Sequence, residues 1–338
     1  MNINYRSVAD LNADMVSWLG TLPRDIELIA GIPRSGLLAA NLLALHLNLP
    51  MTDIDGLLEG RLLSAGARLR QRELGGFLTV KRKILVVDDS VLGGLQMQAV
   101  KERIRAAKLP HDVLFAAVYV APGARKHVDL YCDVVAPPRC FEWNFMHHEL
   151  FLSHTCMDID GVLCHDPSES ENDDGPRYLN FLASAEPLYL PTYPVGWLVT
   201  SRLEKYRCQT EEWLARHGVR YGELIMMNYP DMATRRRANA YARLKADAYL
   251  RTRAWLFVES SLSQATEIAE LTGYSVLCME TRQMVMPGRS SALRRAVLDA
   301  PREAGLRIGA TGQRAVDLGR AVYRRLMSIR SRPSRSFG

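Results

Sequence analysis

His154-Thr155-Cys156-Met157-Asp158-Ile159-Asp160-Gly161-Val162-Leu163 is the stretch of this 338-residue chain on which the reading turns. An apolar approach through Phe151 and Leu152 leads to two aspartates spaced i, i+2, and the run stops at a glycine. Alternate side chains of a strand point to opposite faces, so the two carboxylates converge only where the chain turns or coils after Asp158. Gly161 permits that turn. One carboxylate is then placed to attack, and a second is near enough to hold or deliver a proton, as covalent phosphoryl transfer to an aspartate requires.

Working downstream, three further groups follow in order. The apolar segment Val195-Gly196-Trp197-Leu198-Val199 ends in Thr200-Ser201, where a hydroxyl and a backbone N–H can hold a phosphate oxygen at a helix start. Lys245 falls on a helical pattern before the next strand and offers a cation. Trp255-Leu256-Phe257-Val258 ends in Glu259, an acid at the carboxyl end of a buried strand and a candidate Mg²⁺ ligand. Taken together these four sites resemble motifs one to four of the haloacid dehalogenase (HAD) phosphatase superfamily. The resemblance implies Asp158 as nucleophile, Asp160 as general acid/base, Thr200 as the phosphate hydroxyl and Lys245 as the cation. It implies Mg²⁺ held by Asp158, Asp160 and Glu259. Where the fourth motif often carries two acids, Glu259-Ser260-Ser261 supplies one acid and two hydroxyls. Only 38 residues separate Asp160 from Val199, and prolines 167, 176, 187, 191 and 194 interrupt them, which leaves room for a minimal cap.

Upstream, Lys83-Ile84-Leu85-Val86-Val87-Asp88-Asp89-Ser90-Val91-Leu92-Gly93-Gly94 reads as a buried strand, two acids and a glycine loop opening a helix. Paired carboxylates at a strand end suit ribose hydroxyls or Mg²⁺, and the loop offers N–H groups to a phosphate. Ala30-Gly31-Ile32-Pro33-Arg34-Ser35-Gly36 joins a second strand to a second helix in the same manner. The two loops resemble the 5-phosphoribosyl-1-pyrophosphate (PRPP) motif and the pyrophosphate loop of type I phosphoribosyltransferases, over about residues 20–140. The resemblance implies ligand binding by Arg34, Ser35, Gly36, Asp88, Asp89, Ser90, Gly93 and Gly94, under a hood at Leu58–Gly76 carrying Arg61, Arg68, Arg70 and Arg72. The family loop is close to DDxxTTGGT. Here the threonines are absent, and with them several side-chain hydrogen bonds worth roughly 1 kcal/mol each.

Strand-like and helix-like segments alternate from residue 26 onward, break at Pro137-Pro138, and resume after an aromatic, histidine-rich run from Cys140 to His148. Alternation of this kind implies parallel sheets covered on both faces. The expected fold class is α/β: two doubly wound parallel-sheet domains, phosphoribosyltransferase-like and then HAD Rossmann-like, with a basic C-terminal extension. The expected boundaries are 1–139, a connector at 140–150, 151–281 with a minimal cap, and 282–338. Within the last segment there are thirteen arginines, no lysine and three acids, a formal +10, so the rest of the chain sums to −4 against an overall +6. A helical stripe at 313–329 suits docking on a neighbouring domain.

The chain has 48% apolar and 24% charged residues, no apolar run long enough for a membrane span, and six cysteines without a CxxC pair. A cytoplasmic protein with reduced thiols is expected. The spacings of Cys140, His147, His148, His154, Cys156 and Cys164 match no common structural-zinc pattern. The expected function is a bifunctional enzyme that couples a phosphoribosyltransferase-type reaction to Mg²⁺-dependent phosphomonoester hydrolysis. Its partner is then a phosphorylated small molecule: PRPP, a nucleotide or a sugar phosphate. Two alternatives stand beside it: a phosphatase controlled by a non-catalytic PRPP or nucleotide sensor, and a phosphatase that reaches nucleic acid through the arginine-rich segment. Oligomeric state is left open.

Overall fold

The computed structural model describes residues 3–63 and 80–288. Arg68, Arg70 and Arg72 of the expected hood, and residues 289–338 of the basic extension with its helical stripe, lie outside the described residues. No helix among the described residues is long and apolar enough to cross a membrane.

A short strand, β1 (Asn4–Arg6), precedes the helix Val8–Trp18. That helix starts on a capping box in which Ser7 and Asp10 satisfy each other's backbone N–H groups, and it buries Leu11, Met15 and Trp18 at i, i+4, i+7 spacing. Five parallel strands then build the first sheet: β2 (Leu28–Gly31), β3 (Met51–Asp53), β4 (Lys83–Val91), β5 (Asp112–Val120) and β6 (Leu130–Val134). Their spatial order is β3-β2-β4-β5-β6. Strand β4 runs apolar from Ile84 to Val87, as expected of a strand covered on both faces, and separate apolar clusters flank it around Leu85 and Val87 on one face and Ile84 and Val86 on the other. Strand β6, at the edge, is half-buried and has a weak apolar signal.

Strand β7 (Arg139–Phe141) pairs in parallel with β1, so the N-terminal strand is tied to the segment joining the two sheets. Ile3, Tyr5, Cys140 and Phe145 belong to the core of the second sheet, whereas Phe141 and Trp143 pack into that of the first. Tyr119, Phe141 and Trp143 form a stack, with the two flanking rings 5.5 and 4.8 Å from Phe141.

The second sheet comprises β8 (Thr155–Met157), β9 (Val195–Leu203), β10 (Tyr221–Met227), β11 (Leu256–Glu259), β12 (Val276–Cys278) and β13 (Gln283–Val285). Their order is β10-β9-β8-β11-β12-β13, parallel except for β13. Phe151 and Leu152, expected in the strand, form the short helix Glu149–Leu152, and only Thr155–Met157 pairs. The sheet continues to Val285, past the expected limit at 281.

Both sheets are doubly wound. In the first the order reverses between β2 and β4, and in the second between β8 and β11. At such a switch point the crossover helices leave opposite faces, so a crevice opens beyond the carboxyl ends of the two central strands. Gly31 and Asp88 lie at the first of these places, and Asp158 and Glu259 at the second.

Candidate functional site

In the second sheet Asp158 follows β8, and its N–H donates to Val258 O of β11 at 3.0 Å. Glu259 ends β11. Lys245 reaches in from the helix Tyr241–Thr252 and donates from Nζ to Asp158 Oδ2 at 2.6 Å, Glu259 Oε2 at 2.7 Å and Gln264 Oε1 at 3.0 Å. All three charged groups are essentially buried: Asp158 is 4% exposed, Lys245 1% and Glu259 0%. The second oxygen of each acid is also engaged. Asp158 Oδ1 accepts from Ile159 N–H, and Glu259 Oε1 accepts from the Ser260 hydroxyl and Ser261 N–H. Burial pushes the Asp158 carboxyl up to about 8, with Glu259 and Asp160 adding to the rise and Lys245 opposing it. Burial disfavours the Lys245 ammonium, but its two carboxylates outweigh that and hold it charged.

The turn after Asp158 is the one the glycine was expected to allow. Gly161 has φ 72°, and a Cβ there would lie 2.4 Å from Ser260 Cβ and 2.7 Å from Asp166 Oδ2. Glycine is therefore required both for conformation and for space.

Asp160 faces the same cavity but is claimed by a group the sequence reading passed over. Arg202, fully buried, donates from Nε to both Asp160 oxygens at 3.2 and 3.1 Å and from Nη2 to Oδ1 at 2.6 Å. The three-carboxylate Mg²⁺ set of Asp158, Asp160 and Glu259 is accordingly not assembled. Arg202 takes the Asp160 carboxylate, and Lys245 lies between the other two. Among the described residues no group of three His, Cys, Asp or Glu side chains could hold a metal ion.

Of the two hydroxyls toward the end of β9, Ser201 and not the expected Thr200 borders the cavity. Between Ile225 and Met227 of β10 the pairing steps from Val199 to Leu203 on β9, so β9 carries a bulge there. Bulges re-aim side chains. Thr200 is completely buried, and its hydroxyl accepts from Arg202 N–H at 3.2 Å. Ser201 lines the cavity instead, and its buried hydroxyl oxygen has no hydrogen-bond partner among the described residues.

The cavity measures about 200 Å³ and is bordered by Asp158, Asp160, Asp166, Ser201, Arg235 and Lys245, with Tyr178 and Tyr241 among its other walls. Asp166 and Tyr178 come from the insertion between Asp160 and β9, which contributes one helix, Pro176–Ser184. The acidic loop beginning at Asp166 thus supplies a wall of the site. Asp166 itself is exposed at the rim, and burial together with the charges of Asp160 and Glu259 raises its pKa. The donor set is all oxygen, and its acids repel one another despite Lys245. Such a set fits Mg²⁺ in an open form, in which one or two carboxylates bind and water and substrate complete the shell. Asp158, which borders the cavity, is the residue that would hold it, whereas Glu259 is fully buried behind Lys245 with both oxygens engaged.

In the first sheet the two loops also meet at the switch point. Gly31 of β2 pairs with Val87 of β4, so the turn Pro33–Gly36 lies against Asp88. A Cβ on Gly36 would come within 2.9 Å of Asp88 Oδ1 and of Val87 O. Gln96 Nε2 donates to Pro33 O at 2.8 Å and ties the second loop to the first. Arg34 is exposed at this edge and Ser35 half-buried. Asp88, Asp89 and Ser90 remain within β4, and the helix Leu95–Ala106 begins at Gly94 with no side-chain cap on its first-turn N–H groups.

Two residues of the joining segment complete this site. Trp143 Nε1 donates to Asp89 Oδ2 at 2.9 Å, and Arg139 Nη1 donates to Val91 O at 3.3 Å. Burial pushes the Asp88 carboxyl up to about 8, helped by the charge of Asp89 and opposed by Arg139.

No protein-family model matches the chain. No curated protein matches it either. Among solved structures it is similar to the xanthine-guanine-hypoxanthine phosphoribosyltransferase of Helicobacter pylori, with 17% identity over 42% of this chain and 93% of that one and a TM-score of 0.32. The purine phosphoribosyltransferase of Pyrococcus horikoshii gives 19% identity over 42% and 94% and a TM-score of 0.31. A hypothetical protein of Neisseria gonorrhoeae with bound ppGpp gives 14% over 42% and 89% and a TM-score of 0.32. Each likeness spans less than half of this chain.

Proposed function

We propose that the chain is a two-site enzyme of phosphorylated sugar metabolism. In this reading a phosphoribosyltransferase-type site lies at the β2/β4 crevice, and a Mg²⁺-dependent HAD-type phosphatase site lies at the β8/β11 crevice. The observation that carries it is the buried Asp158–Lys245–Glu259 cluster at a switch point, beside an unpartnered Ser201 hydroxyl. Two acids and one lysine desolvated together are costly unless the site is built for a charged reaction.

Asp158 is the nucleophile. Its backbone is fixed by β11 and its carboxylate oriented by Lys245 and Ile159 N–H, so little freedom is lost on reaching the phosphorus. Ser201 and Lys245 hold the oxygens of the transferred group. Asp160, kept in place by Arg202, faces the cavity and is the proton donor and acceptor. Mg²⁺, when bound, supplies positive charge to the phosphoryl oxygens. At the other site Asp88 and Asp89 address ribose hydroxyls, the N–H groups of the Gly93–Gly94 turn take the 5′-phosphate, and Arg34–Gly36 takes the pyrophosphate end.

One observation favours a second reading for the first site, in which it binds PRPP without turnover and regulates the phosphatase. Leu92-Gly93-Gly94-Leu95 offers no side-chain hydroxyl, and Trp143, from the segment leading to the second sheet, already holds Asp89.

The test is to assay the full chain with Mg²⁺ for phosphate release from an aryl phosphate and, with a panel of bases, for pyrophosphate release from PRPP. Both activities are expected, and Asp88→Asn combined with Asp89→Asn is expected to abolish the second only. PRPP binding without pyrophosphate release selects the sensor reading. Neither binding nor release would overturn the assignment of the first site.

A further inference from the structure

Among the described residues Arg235 is a buried cation without an anion. It sits on the helix Met232–Ala238, is 9% exposed, and lines the cavity of Asp158 and Lys245. Its Nη1 donates to Ser201 O at 2.7 Å, while its buried Nε has no partner. Its guanidinium lies 5.7 Å from the centre of the Tyr241 ring. No carboxylate of the described residues comes within salt-bridge distance of it. Arg202, buried more deeply still, shows the contrast, since it is paired with Asp160. A desolvated guanidinium with free donors is unfavourable unless something negative meets it, and its planar fork matches carboxylate and phosphate groups.

The transferred phosphoryl group already has its cation. Lys245 reaches the cavity from the helix Tyr241–Thr252 and is bound to Asp158 and Glu259. Arg235 comes from a different helix, touches the backbone of Ser201, and shares no acid with Lys245. Two cations held apart in one cavity address two anionic groups. At about 200 Å³ the space is below the roughly 300–1,000 Å³ typical of sites for drug-sized ligands, so the molecule bound there is compact.

We propose that Arg235 sets specificity at this site by reading a second anionic group, phosphate or carboxylate, on a small phosphomonoester. The inference rests on the phosphatase reading of Asp158 and adds the substrate class. A phosphate ester whose leaving group carries another charge is selected, and one with a neutral leaving group is disfavoured.

Two matched pairs test it on the full chain with Mg²⁺. Glycerol 3-phosphate against 3-phosphoglycerate probes a second carboxylate, and fructose 6-phosphate against fructose 1,6-bisphosphate probes a second phosphate. The doubly anionic member of at least one pair is expected to have kcat/KM higher by about tenfold or more, the effect of one charged contact. Arg235→Met is expected to erase that preference mainly through KM, and Arg235→Lys to recover part of it. Calorimetric binding of the same four compounds to the wild type and to Arg235→Met reads the preference without turnover. Because the lone guanidinium is unpaired, Arg235→Met is also expected to melt at the wild-type temperature or above in the absence of ligand. Equal affinity for both members of each pair overturns the proposal. So does an equal fall for both members in Arg235→Met, or a lower melting temperature, either of which makes Arg235 part of the common machinery or the fold. Failure of the phosphatase reading looks different: none of the four compounds is hydrolysed, whatever their affinities.

Discussion

Asp158→Asn is expected to lower Mg²⁺-dependent phosphate release by at least about a thousandfold, the scale seen when a covalent nucleophile is removed. The amide is nearly isosteric, yet it cannot form the aspartyl phosphate. The same change is expected to leave the melting temperature unchanged or raise it. The sign follows from burial: the Asp158 carboxyl titrates near 8, well above the ordinary 3.8. A carboxyl whose pKa is raised by folding contributes its full stability below the unfolded value, about pH 4, and loses it as pH rises through about 8. Near pH 8 the wild type therefore carries an ionised group that the fold disfavours, and asparagine does not. Activity within tenfold of wild type would remove Asp158 from the chemistry. A large drop in melting temperature would make it a structural residue.

Lys245→Met has the largest expected effect on stability. Removing the lysine leaves Asp158 and Glu259 buried around a thioether, and breaking a buried ion pair from one side costs about 3–5 kcal/mol. A change of this size moves the melting midpoint by several degrees in an α/β protein. The loss depends on pH. Without the ammonium at 2.6 Å the Asp158 carboxyl, already raised by burial, binds its proton more readily, so the defect is muted at pH 6 and grows toward pH 9, where that charge must be carried. Denaturant unfolding of wild type and variant at the two pH values checks this. A defect that does not grow between pH 6 and pH 9 would contradict the charge account. Phosphate release is expected to be lost at either pH, because no other cation among the described residues binds Asp158.

The parts of this fold that were legible in the sequence are those where local chemistry and topology agree. Apolar runs ending in acids, as at Asp88, Asp158 and Glu259, mark carboxyl ends of parallel strands, and doubly wound topology brings such ends together whatever the sequence distance. Lys245 was readable for a related reason, since it lies on the expected crossover helix that leads into β11. What escaped was set by geometry that no short window carries. A bulge in β9 turns Ser201, not Thr200, toward the cavity. Arg202 reads as an ordinary residue after two hydroxyls, and Arg235 stands in a run, Thr234-Arg235-Arg236-Arg237, that looks like a solvated helix face. Both are buried because tertiary neighbours close over them. Trp143 and Asp89 lie 54 residues apart, and only the folded joining segment makes them partners. The helix Val8–Trp18 was signalled by Ser7 and Asp10, but its Asp at the third position replaces the more familiar Glu or Gln of a capping box.

The central claim is that Asp158 carries the phosphoryl group. Rapid acid quenching of the full chain during turnover of a phosphate ester with Mg²⁺, followed by peptide mass spectrometry, tests it most directly. A hydroxylamine-labile phosphoryl group is expected on the peptide containing Asp158, absent from Asp158→Asn and from samples without Mg²⁺. A phosphoryl group on any other residue, or turnover that persists in Asp158→Asn, would contradict it.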